Sequence, residues 1–189
     1  SLASVHSELD LLSSEKADAI KNIALKISEG EFADQFPVEV FQSGSATSTN
    51  MNMNEVIANL GSNDNIEIHP NDDVNLGQSS NDVIPSALSI SVAIYLHEHM
   101  IPAAVHLEKI INEKASTLSS VVKMGRTHLQ DAMPITMAQE LGGWSASISD
   151  SIKQFENALE EIQELAIGGT AVGTGVNTHP DVGIRACEL

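Results

Sequence analysis

The sequence has little cysteine and few basic residues. The single cysteine, Cys187, excludes an intrachain disulfide and is compatible with a reducing compartment, and no spacing of Cys and His resembles a metal site. Lys and Arg number 9 against 26 Asp and Glu, which gives a net charge of −17. Such a chain repels phosphate backbones and anionic lipids, so we expect neither nucleic acid nor a membrane as a partner.

The sequence also lacks a long apolar run. No run reaches the roughly 18 residues of a membrane-spanning helix, and the N-terminus has no basic stretch followed by an apolar one. We therefore expect a soluble, cytoplasmic protein. Hydrophobic residues make up 42% of the 189 residues, which is enough for a packed core. Because the chain starts without Met and stops within a helical pattern, we interpret it as an internal fragment of a longer protein.

Apolar periodicity predicts a mainly α fold. The first helix is capped by Ser13 or Ser14 and closed by Gly30. Further helices are predicted over 53–60, 86–99 and 102–119, and a short strand or extended segment over 36–41.

A longer helix is predicted from residue 141 onward. Its apolar positions recur at steps of three and four residues: Leu141, Trp144, Ile148, Ile152, Phe155, Leu159, Ile162 and Ala166. At 1.5 Å per residue, a helix of roughly 30 residues spans about 45 Å, which is longer than a compact domain needs. We therefore expect this apolar stripe to lie in a helical bundle made by several chains.

Three polar clusters are candidates for chemistry. They are residues 43–52, residues 69–82 and the run Gly125–Ala132. The last combines a hydroxyl, an imidazole, an amide and a carboxylate within five residues, which suits proton transfer. Small hydroxyl and amide side chains, dense in the other two, are poor mid-helix material but can bind anions.

Four segments of the chain resemble class II fumarases of the fumarase/aspartase superfamily: 43–55, 69–85, 125–140 and 168–180. Within that superfamily, Thr127-His128 resembles the fumarase branch, because aspartases usually carry Gln where His128 stands. The resemblance implies part of an N-terminal lyase domain over 1–78 and the first half of a central long-helix bundle over 79–189. It also implies reversible hydration of fumarate to L-malate in the tricarboxylic acid cycle, by a homotetramer without metal or organic cofactor.

The resemblance further implies roles for individual residues. His128 assists proton transfer through bound water, and each site is assembled from three subunits. The substrate-binding residues are Ser45, Thr47, Ser79, Ser80, Asn81 and Thr127. Hydration of a dicarboxylate alkene fits this set, because it requires donors for two carboxylates and for the doubly charged intermediate.

The resemblance also identifies two departures. A second dicarboxylate site is implied at His69, Asn71 and Asp72, but Ile66 stands where an Arg often precedes this turn, which puts that site in doubt. The flexible Gly-Ser-Ser loop and the Met-Pro-x-Lys-x-Asn-Pro sequence of the family are absent. The catalytic base therefore lies outside these residues, and we expect the chain alone to be inactive.

The same residues also have structural interpretations that involve no substrate. The Ser and Asn clusters could be helix caps and turns, and His128 could be a satisfied buried histidine. For Asp131 and Glu140, helix-start electrostatics and structural pairing are the preferred interpretation. The Gly168–Gly175 segment is predicted to be a close-packed bend rather than a phosphate loop, because it lacks the following Lys.

Other readings concern the function as a whole. Three nearby histidines could indicate a metal, although an exposed helix face is preferred for them: His97, His99 and His106. The alternative functions are an aspartase-type ammonia lyase and a non-catalytic helical assembly module.

Overall fold

The computed structural model describes residues 1–39, 41 and 46–188. Two compact units make up the chain: Ser1–Leu88 with Leu165–Leu189, and Ser89–Glu164. The predicted domain boundary after residue 78 differs from this division, because residues 165–189 return to the first unit. The boundary was predicted for the longer proteins of the family, and for them it stays a prediction.

The first unit is built on three helices: α1 (Leu2–Glu8), α2 (Ser14–Ser28) and α3 (Thr47–Gly61). Ser13 caps α2 through a 3.4 Å hydrogen bond from the Lys16 N–H to its hydroxyl, and Gly30 follows with a φ of 92°. This confirms the first predicted helix. Its buried face packs with the other elements in one apolar core, which comprises Ala3, Leu12, Ala17, Ile20, Ile57, Ala58, Ile68 and Val74.

The helix α3 begins six residues before the predicted start at 53, because its polar residues have partners. The side-chain amides of Asn50 and Asn54 donate to the Asn75 Oδ1 atom at 3.1 and 3.0 Å. Both asparagines are buried, so these bonds satisfy groups that would otherwise oppose a helix here.

The segment before α3 contains a 3₁₀ turn, Ala33–Gln35, and no strand in its described part, 36–39 and 41. Of the two predicted alternatives, the strand is therefore wrong for those residues, and the extended segment is not contradicted.

A long helical segment links the two units. It consists of α4 (Ser80–Tyr95), a π-helical turn (Leu96–Met100) and α5 (Ile101–Thr117). One stretch of it, within Ser80–Thr117, is long and apolar enough to cross a membrane, with a mean hydropathy of 1.2 and none of it buried. The sequence-based statement that no such stretch exists is therefore too strong. One such helix is weak evidence for a membrane span, because a core helix of a soluble protein meets the same criteria.

The second unit contains a β-hairpin that the sequence analysis did not predict. Strands β1 (Val122–Thr127) and β2 (Gln130–Thr136) are antiparallel, with an irregularity between Met124 and Arg126. Gly125 lies at this irregularity, where an added Cβ would be 2.7 Å from the Met133 carbonyl oxygen. Both strands are exposed along most of their length, and β2 has apolar residues at consecutive positions, so it lacks the alternation that marks a half-buried strand.

The last long helix, α6 (Met137–Glu161), packs on α5 within the second unit. A capping box formed by Thr136 and Gln139 fixes its start. It ends five residues before the predicted end of the apolar stripe, so Ile162 and Ala166 lie outside it. The short helix α7 (Val182–Cys187) completes the first unit.

Candidate active site

The start of α4 carries three candidate substrate-binding residues. Ser79 immediately precedes the helix, and its hydroxyl accepts a 3.2 Å hydrogen bond from the Asn81 N–H. In return, Asp82 Oδ1 accepts a 2.9 Å bond from the Ser79 N–H. This reciprocal capping explains why α4 begins at Ser80, six residues before the predicted start. The cap reading of Ser79 is therefore confirmed, and its hydroxyl hydrogen remains a possible donor to a ligand.

The glycine-rich segment, residues 168–175, is hydrogen-bonded to this turn. Asp82 Oδ2 accepts hydrogen bonds from the Gly168 N–H at 3.2 Å and the Thr170 N–H at 2.8 Å. The Asn81 side-chain amide donates to the Ala171 carbonyl at 2.8 Å. Gly168 has a φ of 88°, and a Cβ there would lie 2.9 Å from the Gly183 Cα atom. The segment is therefore a close-packed bend, as predicted.

The first polar cluster meets the second at one contact. Thr47 begins α3, and its Oγ1 atom lies 3.1 Å from the Ser80 Oγ atom, within hydrogen-bond distance. Thr47 and Asn81 are exposed, and Ser80 is half-buried. Ser45, also predicted to bind substrate, lies outside the described residues. Residues 33 positions apart thus present hydroxyl groups at one place.

Together these groups can bind an anion. Hydroxyl and amide donors lie at the amino end of a 16-residue helix, where the helix dipole favours negative charge. Among the described residues, the titratable side chain in hydrogen-bond contact with this group is Asp82. Because its carboxylate already accepts three backbone N–H bonds, it is not placed to remove a proton from a ligand.

Thr127 and His128 lie in the second unit, at the tip of the hairpin. His128 and Leu129 form a two-residue turn between the paired residues Thr127 and Gln130. Both turn residues have positive φ, 48° and 61°, which fits a type I′ turn that usually contains Asn or Gly. The His128 side chain is exposed, so the reading as a buried, satisfied histidine is wrong.

Two carboxylates near the hairpin have structural partners. Glu140 Oε2 lies 2.5 Å from the Lys123 Nζ atom, and Asp131 Oδ1 lies 3.5 Å from the Arg126 Nε atom. The first pair joins β1 to the start of α6, and the second joins facing residues of the two strands. The predicted structural pairing is confirmed for both acids, whereas the predicted helix-start position holds for Glu140 and not for Asp131, which lies in β2.

The sequence profile of a lyase family matches residues 1–188, which is nearly the whole chain. The chain belongs to this lyase family. It is 50% identical over 188 residues to the class II fumarate hydratase of Xylella fastidiosa, which covers 99% of this chain and 40% of the relative. The class II fumarate hydratase of Photorhabdus laumondii is 47% identical over 193 residues, covering 98% of this chain and 42% of the relative.

Solved structures of lyases agree with this assignment. The crystal structure of class II fumarase from Schistosoma mansoni matches with a TM-score of 0.92 at 37% identity, over 99% of this chain and 40% of that one. A fumarate lyase:delta crystallin from Brucella melitensis matches with a TM-score of 0.88. The mainly α, fumarase/aspartase-like fold is thereby confirmed. The chain spans about 40% of the length of these relatives.

The residues predicted for a second dicarboxylate site lie in an acidic environment. His69 Nδ1 accepts a 3.1 Å hydrogen bond from the Asp72 N–H, and the Asp72 carboxylate lies 3.3 Å from the same nitrogen. The cation nearby, Lys16, is bonded to the Asp73 carboxylate at 2.7 Å. Ile66 packs against the apolar core instead of supplying charge. A dianion at His69 would meet two carboxylates, so these contacts deepen the doubt raised by Ile66.

Further residues of this lyase chain went unnoticed in the sequence. The role of Asp82 could have been predicted, because Ser79-x-x-Asp82 resembles a capping box. No local sequence pattern predicts the burial of His6. Its side chain is 1% exposed, neither ring nitrogen has a hydrogen-bond partner among the described residues, and burial lowers its pKa.

The three histidines considered as metal ligands, His97, His99 and His106, lie on an exposed helix face, which was the preferred prediction. No group of potential metal ligands was found in the described part of the chain.

A cavity of about 570 Å³ adjoins Thr47 but is distinct from the contact with Ser80. It lies along α3, and the described residues around it include Gln35, Asn52 and Glu55 but none of residues 79–81. Among the described residues, this cavity therefore does not include the hydroxyl and amide donors at the start of α4.

Proposed function

We propose that this chain is part of a class II fumarate hydratase, which reversibly hydrates fumarate to L-malate. The observation that carries the proposal is the meeting of Thr47 with Ser80 at the amino end of α4. It is supported by about 50% identity to fumarate hydratases along nearly all of the chain. The proposed parent is a cytoplasmic homotetramer of the tricarboxylic acid cycle that needs no metal or organic cofactor.

The proposed chemistry divides between two groups of residues. The donors that hold the substrate carboxylates and hydroxyl are Ser45, Thr47, Ser79, Ser80, Asn81 and Thr127. Being uncharged, they bind the substrate dianion without titrating near neutral pH, and they stabilise negative charge as the intermediate forms. His128 assists proton transfer through bound water. Its exposed imidazole at a turn between two strands is available for contact with a ligand.

The proposed site is completed by residues that this chain does not contain. Among the described residues at the start of α4, 79–82, there is no lysine to offset the substrate charge, and the carboxylate of Asp82 already accepts three N–H bonds. In the proposal, the remaining sequence of the parent supplies the base and the lysine, and three subunits contribute to each site. We therefore expect the 189-residue chain alone to show no hydratase activity.

The test uses the full-length parent and follows fumarate by its ultraviolet absorbance. Wild-type protein should consume fumarate and form L-malate, and His128→Asn should lower kcat by about 100-fold, the usual scale for a lost proton-transfer assistant. A matched variant, His106→Asn, changes an exposed histidine of α5 and should leave kcat unchanged.

One outcome would contradict the proposed reaction, and another would contradict only the role of His128. Consumption of L-aspartate with release of ammonia, in place of fumarate hydration, would identify an aspartase-type lyase. Wild-type turnover by His128→Asn across the pH range would remove this imidazole from the mechanism and leave the hydratase assignment standing.

A further inference from the structure

Asp82 is a buried carboxylate to which the proposed function gives no role. The residue is 1% exposed, and three backbone N–H groups donate to it. The Ser79 N–H donates to Oδ1, while the N–H groups of Gly168 and Thr170 donate to Oδ2. An ionised carboxylate has acceptors only, so it suits three donors that converge on it.

The donors come from two segments that are distant in the sequence. Gly168 and Thr170 are 86 and 88 residues away from Asp82, whereas Ser79 precedes it by three. Asn81 makes a second link to the same segment through the Ala171 carbonyl. The position of the turn at 79–81 therefore depends on its attachment to the glycine-rich segment as well as on the helix that follows.

We propose that Asp82 is a positioning residue for substrate binding. By fixing the Ser79 backbone to the glycine-rich segment, it sets where Ser79, Ser80 and Asn81 present their donors. Asp82 itself faces inward and touches no substrate. This inference rests on the proposed hydratase function, because that function assigns the three donors to substrate.

The substitution Asp82→Asn is suited to a test because it changes one acceptor into a donor at nearly constant volume. An Asn side chain keeps two of the three bonds if its oxygen faces Gly168 and Thr170, and only one if it faces Ser79. We expect the first orientation, in which the amide nitrogen faces the Ser79 N–H. The glycine-rich segment would stay attached, while Ser79 would lose its acceptor.

The experiment compares wild type, Asp82→Asn and Ser86→Ala in the full-length parent. Ser86 is a matched control because it lies one helical turn further along α4, is 4% exposed, and its hydroxyl has no hydrogen-bond partner among the described residues. For Asp82→Asn we expect KM for fumarate to rise about tenfold, with kcat within about twofold of wild type. Ser86→Ala should keep both constants.

Hydrogen exchange of the backbone gives a second measurement that needs no activity. Amides at 79–83 should exchange faster in Asp82→Asn than in wild type, and equally fast in Ser86→Ala and wild type. Unchanged exchange at 79–83 would overturn the positioning role, as would an unchanged KM in an active enzyme. If the wild-type parent does not hydrate fumarate, the proposed function fails, and the exchange measurement still decides the role of Asp82 in holding the turn.

Discussion

Replacing Trp144 with Asp should separate subunits, whereas replacing Ile152 with Asp should unfold the chain. Both residues belong to the apolar stripe of α6, but Trp144 is 56% exposed and Ile152 is 8% exposed in the single chain. A carboxylate at the Ile152 position would be buried without a partner and would cost several kcal/mol. That is a large part of the roughly 5–15 kcal/mol that stabilises a typical domain.

The substitution at Trp144 should instead reduce the free energy of association between subunits. A tryptophan can bury roughly 250 Å², so 56% exposure leaves about 140 Å² for another subunit to cover. At about 25 cal/mol per Å², covering this area contributes about 3.5 kcal/mol for each subunit. Its loss should weaken the association of subunits by roughly 300-fold, since 1.4 kcal/mol corresponds to a factor of ten.

Sedimentation velocity and thermal unfolding of the full-length parent distinguish these effects. Trp144→Asp should sediment as smaller species with helical circular dichroism retained, and Ile152→Asp should lose its cooperative transition. Gln154→Asp, which adds the same charge at an exposed position of α6, should resemble wild type. An unaltered oligomer for Trp144→Asp would refute the assignment of the exposed part of the stripe to a subunit interface.

Three further predictions concern single residues. Because burial lowers the pKa of His6, the folded state binds fewer protons than the unfolded state, so the free energy of unfolding should fall as pH drops below about 6.5. Denaturant titrations should show a weaker fall for His6→Asn in that range, and an identical pH dependence would contradict the reasoning. Leu129→Gly should raise the unfolding temperature through a gain of about 0.5–1 kcal/mol, because Leu129 has a φ of 61° and is 96% exposed; Leu129→Ala should not. His69→Asn should leave fumarate kinetics unchanged, and calorimetry showing that it abolishes a second malate-binding event would restore the second dicarboxylate site.

Local sequence patterns were sufficient to predict a helix whose ends are determined by its own residues. The helix α2 follows its capping serine, its apolar period and its closing glycine. The start of α4 predicted at residue 86 follows Pro85, which in fact lies inside the helix, whereas the pair Ser79 and Asp82 is a local capping signal for the earlier start. A proline is therefore weaker evidence for the start of this helix than the capping residues that precede it.

Tertiary contacts decided the remaining elements. The buried amides of Asn50 and Asn54 favour a helix only because Asn75 accepts from both, and no local pattern reveals that partner. The turn of the hairpin contains His128 and Leu129 in place of the usual Asn and Gly, so the residue types at the turn do not predict a hairpin. Non-glycine residues at positive φ cost free energy, and such strain often lies at functional sites.

The candidate site was predicted as sequence clusters, but its geometry could not be. Dense hydroxyl and amide residues marked 43–52 and 69–82 as anion-binding candidates, and the contact between Thr47 and Ser80 joins two of their members. Their joining depends on the packing of α3 against the elements around 70–75, which buries Ile57 and Val74 in one core. A core contact therefore brings the two hydroxyls together.

The same geometry explains how a chain of net charge −17 can present a surface for a dianion. Asp82 lies in the same turn as these donors, but it is buried, and three N–H groups offset its charge. The outward side of the turn then presents the hydroxyls of Thr47 and Ser80 and the positive end of the α4 dipole. Local donors can outweigh the repulsion of the whole chain, because ions screen that repulsion beyond about 8–10 Å whereas the donors act at contact. For this reason the binding of a dicarboxylate should depend on the orientation of a few N–H and O–H groups more than on the overall charge of the protein.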